Sequence, residues 1–86
     1  MHRVDNGRPL REAMERAGLS IPQLAAITKE IDPDGRGVSQ SLIGFYTSTG
    51  RSGREQASDR AAGLMVAALE SAGVDVKDGE IFADSS

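Results

Sequence analysis

The side chains best suited to chemistry in this sequence are hydrogen-bonding groups at the start of one predicted helix. Ser39, Gln40 and Ser41 stand immediately before the apolar pair Leu42-Ile43. A Gln side chain can make two hydrogen bonds to adenine in the major groove of DNA, and Ser can donate to or accept from several bases. A helix that enters the groove presents such residues at its N-terminal end. The run therefore predicts a base-reading helix end, although each residue taken alone is equally typical of a cap or a solvated surface.

The residues that follow extend this pattern along the same predicted helix. Gly44 removes a side chain from the exposed face, and an exposed Phe45 could contact a thymine methyl group, whereas a buried Phe45 would belong to the core. Arg51 and Arg54 follow the helix end, where cations commonly meet phosphate oxygens. We therefore expect helix 39–49 to lie in the major groove, with both arginines on the DNA backbone.

Catalytic and metal-binding residues are scarce by comparison. The sequence has one histidine, His2, and no cysteine, so it offers neither a nucleophilic triad nor a thiolate metal site. The run Glu30-x-Asp32-x-Asp34-Gly35 resembles the opening half of a calcium loop, but the twelfth position, which needs a bidentate Glu, is Ser41. We expect an ordinary acidic turn here, and no enzymatic activity, no cofactor and no metal.

Length and composition limit the possible folds. Eighty-six residues suffice for one domain, predicted to span 1–86. Aromatic residues make up only 3% of the chain, so the core must be built from aliphatic side chains, which is more usual for a helical bundle than for a β-sandwich. No apolar run approaches the roughly 18 residues that cross a bilayer, and the N-terminus lacks the apolar region of a signal peptide. We therefore expect a soluble cytoplasmic protein.

The charge of the chain is unevenly distributed. The net charge of −3 by itself argues against a nucleic-acid partner. Between residues 35 and 54, however, the charged residues are all arginines, whereas after residue 61 Lys77 is accompanied only by acids (Glu70, Asp75, Asp78, Glu80 and Asp84). A basic surface facing DNA and an acidic opposite side are therefore compatible with the sequence. The alternative is a protein with no polyanionic partner.

The first two predicted helices are marked by their caps. Apolar residues at three- and four-residue spacing predict a first helix over roughly 8–17, with Gly18 as a left-handed C-terminal cap. Ser20 and Gln23 are spaced as a capping box at the start of a second helix. A loop rich in Pro and Gly follows over residues 32–37.

Two further helices complete the predicted bundle. The third begins at the cap Ser39, and the fourth begins near Ser58 or Asp59 and ends at Gly73. The predicted fold is therefore all-α, a bundle of four to five helices whose helical core spans 8–73.

The C-terminal stretch 74–82 permits two interpretations. Two short alternating runs flank Asp78-Gly79, which favours a β-hairpin. An isolated two-stranded ribbon is marginal in water, so an extended tail with Ile81 and Phe82 packed against the bundle is the alternative. We expect residues 83–86 to be disordered.

Residues spread over the predicted second and third helices follow a known pattern: Leu19-Ser20, Leu24-Ala25, Val38-Ser39, Ile43 and Gly50. In these residues the chain resembles the phage-repressor-like (Cro/XRE) helix-turn-helix family. The later stretch 64–74 is similar to the helix before the family's C-terminal segment, and the likeness covers roughly 10–82. The resemblance implies a repressor-like bundle and a transcription regulator that binds double-stranded DNA. By the same resemblance, Gln40, Ser41 and Phe45 match base-reading positions, and Ser48, Arg51 and Arg54 match the phosphate-contacting edge.

Two features depart from the family pattern. Residues 29–36 form an insertion between the second and third helices, which either lengthens helix two or projects as a loop. Ile21 stands where the family often has a Gln that contacts phosphate. The insertion bears on the angle between the two helices. The missing Gln and the acidic pI add weight to an alternative function, a protein-interaction module of antitoxin-like or regulator-binding type that does not contact DNA.

Members of this family are usually dimers on palindromic sites, because one small module buries little surface on DNA. The resemblance therefore implies a homodimer. The apolar residues of the C-terminal segment are the candidate dimer surface: Val74, Val76, Ile81 and Phe82.

Overall fold

Four α-helices and one pair of short strands form the computed structural model, which describes residues 1–50 and 53–84. The helices are α1 (Arg8–Ala17), α2 (Ile21–Ile31), α3 (Gln40–Thr47) and α4 (Asp59–Ser71). The strands are β1 (His2–Arg3) and β2 (Phe82–Ala83), and a 3₁₀ turn, Asp5–Gly7, leads into α1. None of these helices is long and apolar enough to cross a membrane. Of the predicted all-α bundle of four to five helices, the mainly helical character is confirmed, and the two-stranded sheet is an addition to it.

Local capping sets the bounds of α1 and α2. Gly18 adopts a left-handed conformation with φ of 68° and ends α1 where the sequence predicts. At the start of α2 the Gln23 N–H donates to Ser20 Oγ over 3.3 Å, and the Ser20 N–H donates to Gln23 Oε1 over 2.9 Å. The predicted capping box is therefore confirmed.

Serine caps also begin α3 and α4. Ser39 Oγ accepts from the Leu42 N–H, and Ser58 Oγ accepts from the Ala61 N–H, each over 3.1 Å. The predicted helix 39–49 is too long at its C-terminal end, because Ser48 has extended backbone angles (φ −78°, ψ 151°) and α3 stops at Thr47.

The core draws on every helix. α2 packs mainly against α4 and α3, and α1 packs against α3 and α4. The largest fully buried side chains are Tyr46, Leu10, Leu24, Ile43, Met65, Leu69, Ile81 and Thr28. Full burial of an aliphatic side chain stabilises a fold by about 1.5–3 kcal/mol, so this cluster holds α3 firmly against the other helices.

The predicted C-terminal hairpin is wrong. β2 pairs antiparallel with β1, with Arg3 opposite Phe82 and His2 opposite Ala83. The Val4 N–H continues the ladder by donating to the Ile81 carbonyl over 3.0 Å. Pairing with the distant N-terminal strand leaves Ile81 and Phe82 packed in the core, which confirms the alternative of a tail against the bundle.

Burial of this tail overturns two further expectations. Ala83 lies in β2, so disorder over 83–86 is wrong at that residue, while Ser85 and Ser86 lie outside the described residues. The candidate dimer surface is also wrong in large part, because Val74, Ile81 and Phe82 are 8%, 1% and 3% exposed within a single chain. These side chains are committed to the core of one chain and are not available to a second copy.

Candidate nucleic-acid interface

α3 buries one face and exposes the other. Ile43 and Tyr46, three residues apart, are buried in the core. Gln40 and Ser41 are exposed, and so is Phe45, whose exposed fraction of 42% is high for an aromatic side chain. Residues four apart on a helix lie on the same side. The structure thus brings these three predicted base-reading residues onto one accessible face.

Two small residues leave this face open to close approach. Ser39 uses its hydroxyl oxygen to cap the helix, while its hydroxyl hydrogen remains able to donate outward. Gly44 lies in the middle of the helix, and a Cβ built on it would meet no atom within 4 Å. A flat surface such as a base-pair edge can therefore approach the α3 backbone closely at Gly44.

Arg54 is held beside the exposed aromatic ring of α3. Its guanidinium carbon lies 5.1 Å from the centroid of the Phe45 ring, a cation–π contact. Its backbone N–H donates to the Phe45 carbonyl over 2.9 Å. Burial raises the pKa of the neighbouring Tyr46 hydroxyl, and the charge of Arg54 opposes that rise. Arg51, the other predicted phosphate contact, lies outside the described residues.

Ser48 takes part in the end of α3. The Ser48 hydroxyl donates to the Gly44 carbonyl over 2.8 Å, and Ser48 is half-buried. A phosphate contact through this hydroxyl requires that internal hydrogen bond to break, so the predicted phosphate role of Ser48 stays a prediction.

A buried arginine that sequence reasoning missed holds the C-terminal end of α3. Arg3 is 2% exposed. Its Nη1 donates to the carbonyls of Phe45, Tyr46 and Ser48, and its Nε donates to Glu55 Oε1 over 2.9 Å. The last carbonyls of a helix lack partners within the helix, and a cation there is also favoured by the helix dipole. Arg3 therefore stabilises the end of the helix that carries the candidate site.

A second arginine and a glycine complete this support. Arg11 Nη1 donates to the carbonyls of Thr47 and Asn6, each over 2.8 Å. Gly7 adopts φ of +79°, and a Cβ there would lie 2.2 Å from the Tyr46 carbonyl oxygen. Arg3 and Arg11, here called the arginine clamp, thus contact three successive residues of α3 and the residue after it. No local sequence pattern marks the clamp, because its partners in α3 and at Ser48 are 36 to 45 residues away.

The connection between α2 and α3 is ordered by one buried carboxylate. Asp32 accepts hydrogen bonds from the backbone N–H groups of Asp34, Arg36 and Gly37 over 3.0, 3.2 and 2.8 Å. Arg60 of α4 donates to the same carboxylate over 2.5 Å. The backbone N–H groups of Asp34 and Gly37, and then Arg60, lower the pKa of Asp32 to about 2 against the opposing effect of burial. In the described part of the chain no group of three or more potential ligand side chains gathers as a metal site.

A buried threonine joins this loop to α2. Thr28 Oγ1 donates to the Ala25 carbonyl over 2.7 Å and accepts from the Val38 N–H over 2.9 Å. Glycine is required at position 37 because the loop passes close to α2, where a Cβ on Gly37 would lie 2.6 Å from the backbone nitrogen of Lys29. The insertion therefore lengthens α2 to Ile31 and then folds over 32–39 against α2 and α4, which fixes where α3 begins.

Two cationic side chains that the sequence did not predict as DNA contacts flank the start of α3. Lys29 and Arg36 line a shallow groove of about 270 Å³ together with Ser39 and Gln40. Arg36 also makes an exposed ion pair with Asp34 over 3.7 Å. An exposed pair of this kind contributes about 0–1 kcal/mol, so Arg36 can readily exchange Asp34 for another anion.

Neither a protein-family model, nor a curated protein, nor a solved structure matches this chain. The likeness to the Cro/XRE family therefore rests on the residues that carry it and stays a resemblance.

Proposed function

We propose that this chain is a sequence-specific, repressor-like transcription regulator of the Cro/XRE type, which inserts α3 into the major groove of double-stranded DNA. The observation that carries the proposal is the open face of α3. Gln40, Ser41 and Phe45 lie on this face, with Arg36 near its beginning and Arg54 at its end. Hydrogen-bonding side chains between flanking cations suit base edges that lie between two phosphate backbones.

α2 and α3 act as the two helices of a helix-turn-helix. In such units the second helix enters the groove and the first crosses the DNA backbone. The connection 32–39 is long for the motif, but the hydrogen bonds of Asp32 and Thr28 hold it in one conformation. Order in this loop supports the proposal, because an unanchored connection would leave the angle of α3 undefined.

The proposal assigns a DNA contact to each exposed residue at this face. Gln40 reads adenine through two hydrogen bonds, Ser41 contacts a neighbouring base, and Phe45 packs on a thymine methyl group. Arg54 leaves the Phe45 ring for a phosphate oxygen, which is feasible because an exposed cation–π contact contributes only about 0.5–1 kcal/mol. Two copies bind a palindromic site, since a single module of this size buries little DNA surface.

The test is selection from a random pool of double-stranded DNA, followed by titration of the enriched sequence at low and high salt. We expect Gln40→Ala to relax selectivity at one base pair, by about 1–3 kcal/mol of discrimination. We expect Arg54→Ala to weaken binding to all DNA sequences alike. It should also lower by about 1 the slope of log K against the logarithm of the salt concentration. Arg8→Ala is the matched control, because Arg8 is an exposed arginine on α1 that pairs only with Asp5 and Glu12 among the described residues.

Two results would contradict the proposal. One is the absence of any enriched sequence at low salt, which would favour the protein-interaction module. The other is an equal loss of binding in Arg54→Ala and Arg8→Ala, which would mean that attraction to DNA is general and does not involve α3.

A further inference from the structure

A groove runs between α4 and the segment that follows it, away from α3. Its volume is about 320 Å³, and Met1, Gly63, Val66, Val76 and Phe82 are among the residues that line it. A smaller cavity of about 130 Å³ continues it past Met1 and Phe82. The larger cavity is therefore lined mainly by apolar or small residues, and the smaller one shares Met1, Asp78, Gly79 and Phe82 with it. We call the two cavities together the α4 groove.

The rim of the α4 groove is mainly acidic. Glu70 and Asp78 line the larger cavity and Asp84 lines the smaller one, whereas Lys77 is the one basic side chain among the lining residues that the structure describes. The ammonium group of Met1 is already paired with Asp59 over 3.7 Å. Within residues 1–50 and 53–84, none of these three carboxylates forms an ion pair. An apolar floor beneath unpaired carboxylates is complementary to apolar side chains that are flanked by cations.

We propose that the α4 groove docks a basic amphipathic helix of a partner protein. Apolar side chains on one face of that helix enter the groove, and Lys or Arg side chains beside them meet Glu70, Asp78 and Asp84. This mode of binding is common where a shallow apolar groove meets an amphipathic helix. No lining residue of the groove belongs to α3, so the site is separate from the proposed DNA interface.

A second copy of this chain fits the groove less well. A two-fold interface brings the same patch of both copies together, so the acidic rims of both copies would lie within one interface. Juxtaposed like charges oppose association. Charge complementarity therefore selects a cationic partner of different sequence.

Gly63 offers a clean way to test the groove. It is an exposed residue of α4, and a Cβ built on it meets no atom within 4 Å, so a side chain can begin there without a clash at the Cβ. Gly63→Lys places a cation across the groove, and Glu70→Lys reverses a rim charge. Glu15→Lys, an exposed residue of α1 that lines neither cavity, makes the same charge change elsewhere.

The probe is a fluorescein-labelled helical peptide with Leu at positions i, i+3, i+4 and i+7 and Lys on its other faces, titrated by fluorescence anisotropy. We expect it to bind the wild-type chain and Glu15→Lys, and to bind Gly63→Lys and Glu70→Lys on the order of tenfold more weakly. A peptide of the same composition with the Leu residues scattered around the helix, and one with Glu in place of Lys, should bind on the order of tenfold more weakly than the probe. Thermal unfolding confirms that each variant folds.

Equal binding of the three peptides, no binding of the Lys peptide, or unchanged binding in both groove variants would overturn the inference. Sedimentation tests whether a second copy of this chain occupies the groove instead. If the wild-type chain is a dimer and Gly63→Lys is a monomer, a second copy fills the groove and the inference is wrong. The peptide titration involves no DNA, so its outcome does not depend on the proposed function. If the proposed function holds, Gly63→Lys should still bind DNA.

Discussion

Arg3 provides the sharpest test of how α3 is held in place. We consider Arg3→Met, which keeps the aliphatic stem of the side chain and removes its guanidinium. The change deprives the Phe45, Tyr46 and Ser48 carbonyls of a cationic donor at the C-terminal end of α3. It also removes the ion pair with Glu55, whose side chain is 55% exposed and can be hydrated instead.

The expected loss follows from these contacts. A hydrogen bond from a charged donor contributes about 1.5–3 kcal/mol, and a buried group left without a partner costs about 1–3 kcal/mol. The bonds share one guanidinium and are not additive, so we expect Arg3→Met to lower the free energy of unfolding by about 3 kcal/mol. For a domain of this size that corresponds to a fall in Tm of roughly 12–24 °C.

Urea unfolding followed by circular dichroism measures this loss. Arg8→Met is the control, because Arg8 is 67% exposed and its ion pairs with Asp5 and Glu12 should contribute less than about 1 kcal/mol. An unchanged m-value would show that the variants differ in stability and not in compactness. A loss below about 1 kcal/mol in Arg3→Met, or equal losses in both variants, would refute the reasoning that α3 depends on the arginine clamp.

Three further changes probe the loop and the close approach to α3. Thr28→Val keeps the shape of the side chain and leaves the buried Val38 N–H without its acceptor, so unfolding free energy measured in urea should fall by about 1–3 kcal/mol. The pKa of Asp32 is lowered from 3.8 to about 2, so its carboxylate stabilises the fold fully above pH 3.8 and loses that effect as pH falls through 2. Asp32→Asn should therefore be less stable at neutral pH and should lose less stability than the wild-type chain over that acid range, measured by urea titration at each pH. Gly7→Ala should lower unfolding free energy by about 3 kcal/mol, since it adds a clash with the Tyr46 carbonyl to the strain of positive φ.

Each of these changes has a matched control in the chain. Thr49→Val alters an exposed threonine, and Asp34→Asn alters an exposed carboxylate of the same loop. Gly18→Ala has the same left-handed strain as Gly7→Ala but meets no atom within 4 Å, so it should cost only about 1 kcal/mol. If a control variant loses as much free energy of unfolding as the test variant with which it is matched, the contact named for the test variant is not the cause of the loss.

Local sequence signals determined where most helices begin and where α1 ends. Gly18 ends α1, the Ser20–Gln23 box begins α2, and Ser39 begins α3, as the sequence predicts. Capping depends on groups within about four residues of one another, so it can be predicted from sequence alone. The same holds for the exposed face of α3, which follows from helical periodicity once Ile43 and Tyr46 are assigned to the core.

The tertiary structure decided the contacts between distant segments. The signal at Asp78-Gly79 favours a hairpin, yet Phe82 pairs with β1, because burying it beside Tyr46 places its backbone next to Arg3. The two rings meet edge to face with centroids 5.5 Å apart, an arrangement that the negative face and positive edge of aromatic rings favour. Local turn preference is worth little against the burial of a large aromatic side chain.

The candidate site divides in the same way between sequence and tertiary structure. The sequence by itself determined that α3 presents Gln40 and Ser41, which follow the cap. Phe45 was left open between the core and the surface, and only the structure shows that it is exposed. Only the tertiary structure decided how α3 is supported, through Arg3 at its C-terminal end and Asp32 in the preceding loop. The physical reason is that a backbone group left open at a helix end or in a loop must find a partner in space, and which distant side chain supplies it depends on the packing of the whole chain.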